Sequence, residues 1–183
     1  MGIVKKQPEL KTITEVSGKI FVQKPLPASA YFEYEKRKAT QSIQLANEWL
    51  LYEAFEIDGH GATEEDLKGL KFRARGRLLL GLTAVNITYN DDLPMSESSD
   101  FSICGNRFTE KEDSGNYFDK FVAKFAQDAL AAYRWVIPKI LLFNNREITD
   151  TDFIKPAPDG IGFEGAAAIT QWLQAFLPQA QRN

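Results

Sequence analysis

At 183 residues the chain has room for one domain, or a small domain with a helical extension, and for a real hydrophobic core. Its 22 basic and 25 acidic residues leave a net charge of −3, which removes any global drive toward nucleic acid or an anionic membrane. One cysteine excludes an internal disulfide, one histidine with it leaves no nitrogen and sulfur ligand set for a transition metal, and no apolar run reaches the length of a membrane span. The first residues, MGIVKKQPELK, carry no apolar segment of the signal-peptide kind, and Lys6 stands where a myristoylation signal has Ser or Thr, so the expected address is the cytoplasm.

Residues 1–15 read as a polar, loose lead-in. Lys19 to Lys24 (KIFVQK) is a short strand, ended by Pro25-Leu26-Pro27. Ser29 can cap a helix from about Ala30, and a second helix is expected from Gln41 to Ile57, with Ile43, Ala46, Leu50, Ala54 and Ile57 on one side and Thr40 or Ser42 separating the two. Asp58-Gly59-His60-Gly61 stops it. Thr63 with Asp66 has the spacing of a capping box opening a short helix to about Leu70. A further helix is expected from Ala74 to Asn86, although the cations at 71, 73, 75 and 77 alternate as they would on a strand. The polar stretch 90–115 reads as a long loop or hairpin dividing the chain, so the expected parts are 1–89, a linker or hairpin over 90–115, and 116–183.

The strongest pattern is a long amphipathic helix over 116–137, capped by Asn116, with Phe118, Phe121, Val122, Phe125, Ala129, Ala132 and Val136 as its stripe and Pro138 kinking or ending it. Its second half broadens the stripe with Tyr133, Trp135 and Ile137. A last helix, 164–177, carries Trp172 on its apolar face. No internal repeat is visible. The expected fold is mainly α: a helical domain with a short N-terminal strand or hairpin.

The chemical candidates each have a simpler reading. His60 lies between two glycines in a turn, which suits an exposed loop residue better than a catalytic base. The run Asp58–Asp66 places His60 and Ala62 where an EF-hand loop needs oxygen ligands. Gly160, Gly162 and Gly165 match GxGxxG, but prolines rather than a strand precede them and Glu164 would repel a phosphate. Asp91-Asp92 and Asp150/Asp152 read as turn formers. Lys68, Lys71, Arg73, Arg75 and Arg77, with Phe72 among them, form the densest positive cluster, either a salt-bridged face or a nucleic-acid patch. No cofactor or metal is expected.

Residues 18–87 carry a recognisable order: the strand GKIFV at 18–22, Pro25-Leu26 and Ser29-Ala30-Tyr31 leading into a charged helix, a helix ending at Asp58-Gly59, the segment ATEEDLKGL at 62–70, and a final Leu-rich segment. This order resembles the tail assembly chaperones of long-tailed bacteriophages. The resemblance implies no enzyme activity. It implies binding of the tape-measure and tail-tube proteins, in the host cytoplasm, during virion assembly. The expected partner contacts are Tyr133, Trp135, Ile137 and Trp172, because they broaden otherwise ordinary stripes. A structural tail or connector subunit retained in the particle is the second expectation, and a small nucleic-acid-binding regulator using Lys71, Arg73, Arg75 and Arg77 the third. Self-association is open on all three.

Overall fold

A computed structural model describes residues 12–16, 18–83 and 100–177. Residues 1–11, the end of the expected 74–86 helix, Asp91-Asp92 and the 90–99 part of the expected boundary lie outside the described residues. The chain runs β1 (Thr12–Val16), β2 (Lys19–Gln23), α1 (Ala28–Thr40), α2 (Ile43–Ala54), β3 (Phe55–Ile57), β4 (His60–Gly61), α3 (Glu64–Lys68) and α4 (Phe72–Thr83). It continues with β5 (Asp100–Ile103), β6 (Asn106–Glu110), a 3₁₀ turn at Ser114–Tyr117, α5 (Phe118–Phe125), α6 (Ala129–Ile140), β7 (Leu141–Phe143), β8 (Arg146–Glu147), α7 (Asp150–Ile154) and α8 (Gly162–Ala175). The expectation of a mainly α fold is overturned. The described residues form two antiparallel sheets, ordered β1-β2-β3-β4 and β5-β6-β7-β8, and the fold mixes helix and strand. Strands of two to five residues offer too few alternations for a period-two signal, and β3 and β7 begin on the residue after a helix ends.

The second series of elements repeats the first in order and sheet topology, a structural duplication although no internal repeat is visible in the sequence. The repetition reaches individual bonds. The Ile20 N–H donates to the Asp58 carboxylate at 3.0 Å, and the Arg107 N–H to the Asn144 side-chain oxygen at 2.9 Å. The Lys24 N–H reaches the Ala54 carbonyl at 2.7 Å, and the Lys111 N–H the Ile140 carbonyl at 2.8 Å. Ser42 caps α2 by accepting from the Leu45 N–H, and Asp128 caps α6 by accepting from the Ala131 N–H. Arg37 lies over the Trp49 ring at 4.9 Å, and Lys124 over Trp135 at 5.2 Å. The β3–β4 turn places Asp58 and Gly59 at φ 49° and 84°, and the β7–β8 turn places Asn144 and Asn145 at 51° and 63°. Two successive left-handed residues suit the right-handed twist of a tight hairpin, and Asp, Asn and Gly tolerate them best.

The expected 116–137 helix is two helices. Asp128 takes extended backbone and its carboxylate starts a new N-terminus, so α6 folds back on α5 and Tyr133 packs against Phe121 and Phe125 at 5.8 and 5.4 Å between ring centres. The apolar period continues across the break, which is why the sequence reads as one helix. Asn116 lies in the 3₁₀ turn and caps nothing. Pro138 does not end the helix either: α6 runs on to Ile140. In the last turn a missing N–H costs one hydrogen bond rather than a ladder.

Each unit wraps its sheet and helices around its own core. Phe21, Leu50, Leu51, Phe55, Ile57 and Leu67 fill the first. Phe108, Val136, Ile137, Leu141, Phe143 and Phe153 fill the second. The units also exchange side chains. Phe163 of α8 enters the first core, while Ala28 and Phe32 of α1 enter the second.

Candidate functional site at the seam of the two units

Two of the residue sets read as chemical candidates are used up by local structure. The Asp66 carboxylate accepts from the Thr63 N–H at 3.0 Å and its hydroxyl at 2.6 Å, and pairs with Lys19 on β2. Lys19, then Thr63, hold this carboxyl well below the usual carboxylate range. Asp152 accepts from Thr149 in the same way, at 2.8 and 2.9 Å, but its cation is Arg146 on β8, at 2.9 and 2.5 Å. That guanidinium, with help from Thr149 and against the effect of burial, lowers Asp152 to about 2. Both acids are buried capping groups.

The glycine run is a packing device. A Cβ on Gly160 would meet the Lys155 carbonyl at 2.3 Å and the Asp152 carbonyl at 2.7 Å, and Gly162 has φ +73°. The segment before it is α7, not a strand. The Asn106 side chain donates to the Gly160 carbonyl at 3.1 Å, holding the 155–161 loop against β6. His60 is exposed on β4, with Nδ1 2.9 Å from the Gly61 carbonyl oxygen. Among the described residues no three His, Cys, Asp or Glu side chains converge as a metal site.

The basic run is divided by the helix that carries it. At 100° per residue, Lys71 and Arg75 fall on one side of the α4 turn and Arg73 and Arg77 on nearly the opposite one. Arg75 reaches Glu48 on α2 at 3.1 Å, and Lys68 pairs with Glu64. The expected partner contacts are placed mostly inside. Tyr133, Ile137 and Trp172 are buried in the second core. Trp135 is half-buried between Tyr117 and Lys124. The broadened stripe that singled them out is the signature of a helix packed on several sides.

The seam between α1 and α8 holds a cleft of about 520 Å³. Its floor is the contact of Phe163 with Tyr31 and Tyr34, at 5.5 and 6.2 Å between ring centres, and a 2.8 Å hydrogen bond between the Tyr31 hydroxyl and Thr170. The Phe163 N–H donates to the Leu26 carbonyl at 2.9 Å and fixes the start of α8. Glu35, Lys38, Thr83, Gln171 and Gln174 line the mouth. Lys38 donates to both Glu35 oxygens, at 2.9 and 3.0 Å, so these charges neutralise each other. Burial pushes Tyr31 far above the ordinary phenol range, so its hydroxyl stays neutral at physiological pH. The cleft thus presents hydroxyl, amide and aromatic surface without a free charge on its floor. Sequence reading missed Tyr31, Phe163 and Thr170, which sit at ordinary helical spacing and meet only through tertiary packing.

Several large apolar side chains face solvent. Ile43 and Leu45 stand at the start of α2, Leu80 and Phe72 on α4, and Phe118 on α5. No helix among the described residues is long and apolar enough to cross a membrane. No protein-family model, no curated protein and no solved structure matches the chain.

Proposed function

We propose that this protein is a non-enzymatic interaction protein of phage tail assembly, a chaperone that holds tape-measure and tail-tube subunits through apolar helix surface. The observation that carries the reading is the duplication: the order of elements behind the tail-chaperone resemblance of residues 18–87 recurs in 100–177. The second unit repeats the plan and not the surface, because Ala129 and Ala131 stand where the first unit has Ile43 and Leu45. With Tyr133, Ile137 and Trp172 inside the second core, the partner face is carried instead by Ile43 and Leu45. These are 62% and 51% exposed on the open end of α2 and are the sort of anchor that drives desolvation on binding.

The test is an affinity pull-down from the native source at low salt, with mass spectrometry of what is retained. Tail-tube or tape-measure subunits should come down, and the bait should be missing from finished particles. The variant Ile43→Asp/Leu45→Asp should lose them without change in melting temperature. Stoichiometric bait in the particle would make the protein a structural subunit. Recovery of nucleic acid alone, lost in Arg73→Ala/Arg77→Ala, would replace the reading with the regulator.

A further inference from the structure

The two units are joined by unlike surfaces. The last helix of the second unit, α8, lies on the first helix of the first unit, α1, and seats Phe163 beside Tyr31. The duplication gives every member of this seam a counterpart that the seam does not use. Ile169 and Leu173, the buried pair of α8, correspond to Leu78 and Leu82 of α4, each 91 residues apart, and the same step carries Phe163 to Phe72. On the other side, Gly18 corresponds to Gly105, 87 residues on, and that step carries Tyr31 to Phe118. Phe163 is 3% exposed, whereas Phe72 is 93% and Phe118 44% exposed. An interface made of two different surfaces leaves one of each kind free, and its repetition between molecules joins them head to tail.

The geometry points to self-association of this chain through a second use of that seam, with α4 of one copy, led by Phe72, docking on α5 of the next at Phe118. The surroundings of the two anchors are complementary in charge. Where Leu26, just before α1, and Phe32 on it stand in the first unit, the second has Asp113, just before the 3₁₀ turn, and Asp119 on α5; where α8 presents Glu164 and Ala168, α4 has Arg73 and Arg77. All four charged residues are exposed. The aromatic anchor is therefore kept, while the seam's largely uncharged surround is replaced by cations on one face and acids on the other. Such a contact is steered by charge and weakened by salt. It uses none of the residues assigned to the tail partner and does not depend on that reading.

Sedimentation velocity of the whole chain, up to about 100 µM, reads the outcome directly. Expected is a sedimentation coefficient that climbs with concentration, and association that weakens as salt rises from about 50 to about 500 mM. Phe72→Asp (head) and Asp113→Lys/Asp119→Lys (tail) should each lower self-affinity by about tenfold or more. Mixed together they should form a 1:1 dimer and stop, since each retains one working surface. Arg73→Glu/Arg77→Glu is a second head variant at exposed positions and should behave as Phe72→Asp does. A wild-type chain that stays monomeric throughout, a head variant that associates like wild type, or a mixture that stays monomeric overturns the proposal.

Discussion

The two units have one plan and two ways of closing it. In the first, three residues, 69–71, link α3 to α4, and Asp66 at the capping box reaches across to Lys19 on β2. In the second, the corresponding loop is 155–161, and the position of Lys19 belongs to Asn106. Asn106 is occupied by this longer loop: its amide donates to the Gly160 carbonyl, while its oxygen accepts from the Asn144 side chain at 3.0 Å. Asp152 consequently takes its cation from Arg146 on the neighbouring strand. α8, which follows the longer loop, packs both into its own unit's core and on α1 of the first unit. A capping acid is thus a fixed requirement of the plan, and its counter-ion is whatever the neighbouring loop leaves available.

The comparison breaks most readily at the equivalent phenylalanines. Phe21→Ala and Phe108→Ala each empty a fully buried ring site and should each cost about 3–5 kcal/mol in urea unfolding. Because the units exchange Phe163, Ala28 and Phe32, each loss should appear in a single transition; a biphasic curve would show the units folding separately.

The loops should separate the units more finely. Gly160→Ala drives a Cβ into two carbonyls and should cost about 1–3 kcal/mol, whereas Gly76→Ala, inside α4 with no atom within 4 Å of the new methyl, should stabilise by about 0.5–1 kcal/mol. Equal effects at the two sites would remove the distinction between a packed loop and an open helix.

The smallest effect lies in acid. Asp66 and Asp152 both have lowered pKa values, so their contribution is complete above the unfolded carboxylate range and is lost as pH falls through the folded values, which for Asp152 is about 2. Asp152→Asn should remove Asp152's part of the fall in melting temperature between about pH 5 and pH 2 and leave that of Asp66. An unchanged acid profile would mean that the Arg146 pair does not hold in solution.

Much of the local structure is legible in the chain. The Lys19–Lys24 strand matches β2 within a residue, Ser42 does cap α2, Thr63 and Asp66 do form a capping box, and of the last helix's expected stripe Ile169, Trp172 and Leu173 are buried while Phe176 lies exposed past its end. The duplication was not legible. Between 18–40 and 105–127 the only identities are Gly18/Gly105, Phe21/Phe108, Lys24/Lys111 and Ala39/Ala126. Between 42–68 and 128–154 they are Ala46/Ala132, Trp49/Trp135, Thr63/Thr149 and Asp66/Asp152. Six of the eight pairs are a hairpin glycine, the buried Phe21/Phe108 and Ala46/Ala132, a ring under a cation and the capping pair, whereas Lys24/Lys111 is half-buried and Ala39/Ala126 exposed.

What the sequence determined by itself are features completed within a few residues: a cap three positions from its N–H, an apolar face every turn, a left-handed pair in a hairpin. Whether an apolar stripe faces its own sheet, another helix or water depends on neighbours far along the chain. Tertiary structure alone therefore buried Tyr133, Ile137 and Trp172, left Phe72 in solvent, split 116–137 in two at Asp128, and brought Tyr31 to Phe163 across more than a hundred residues.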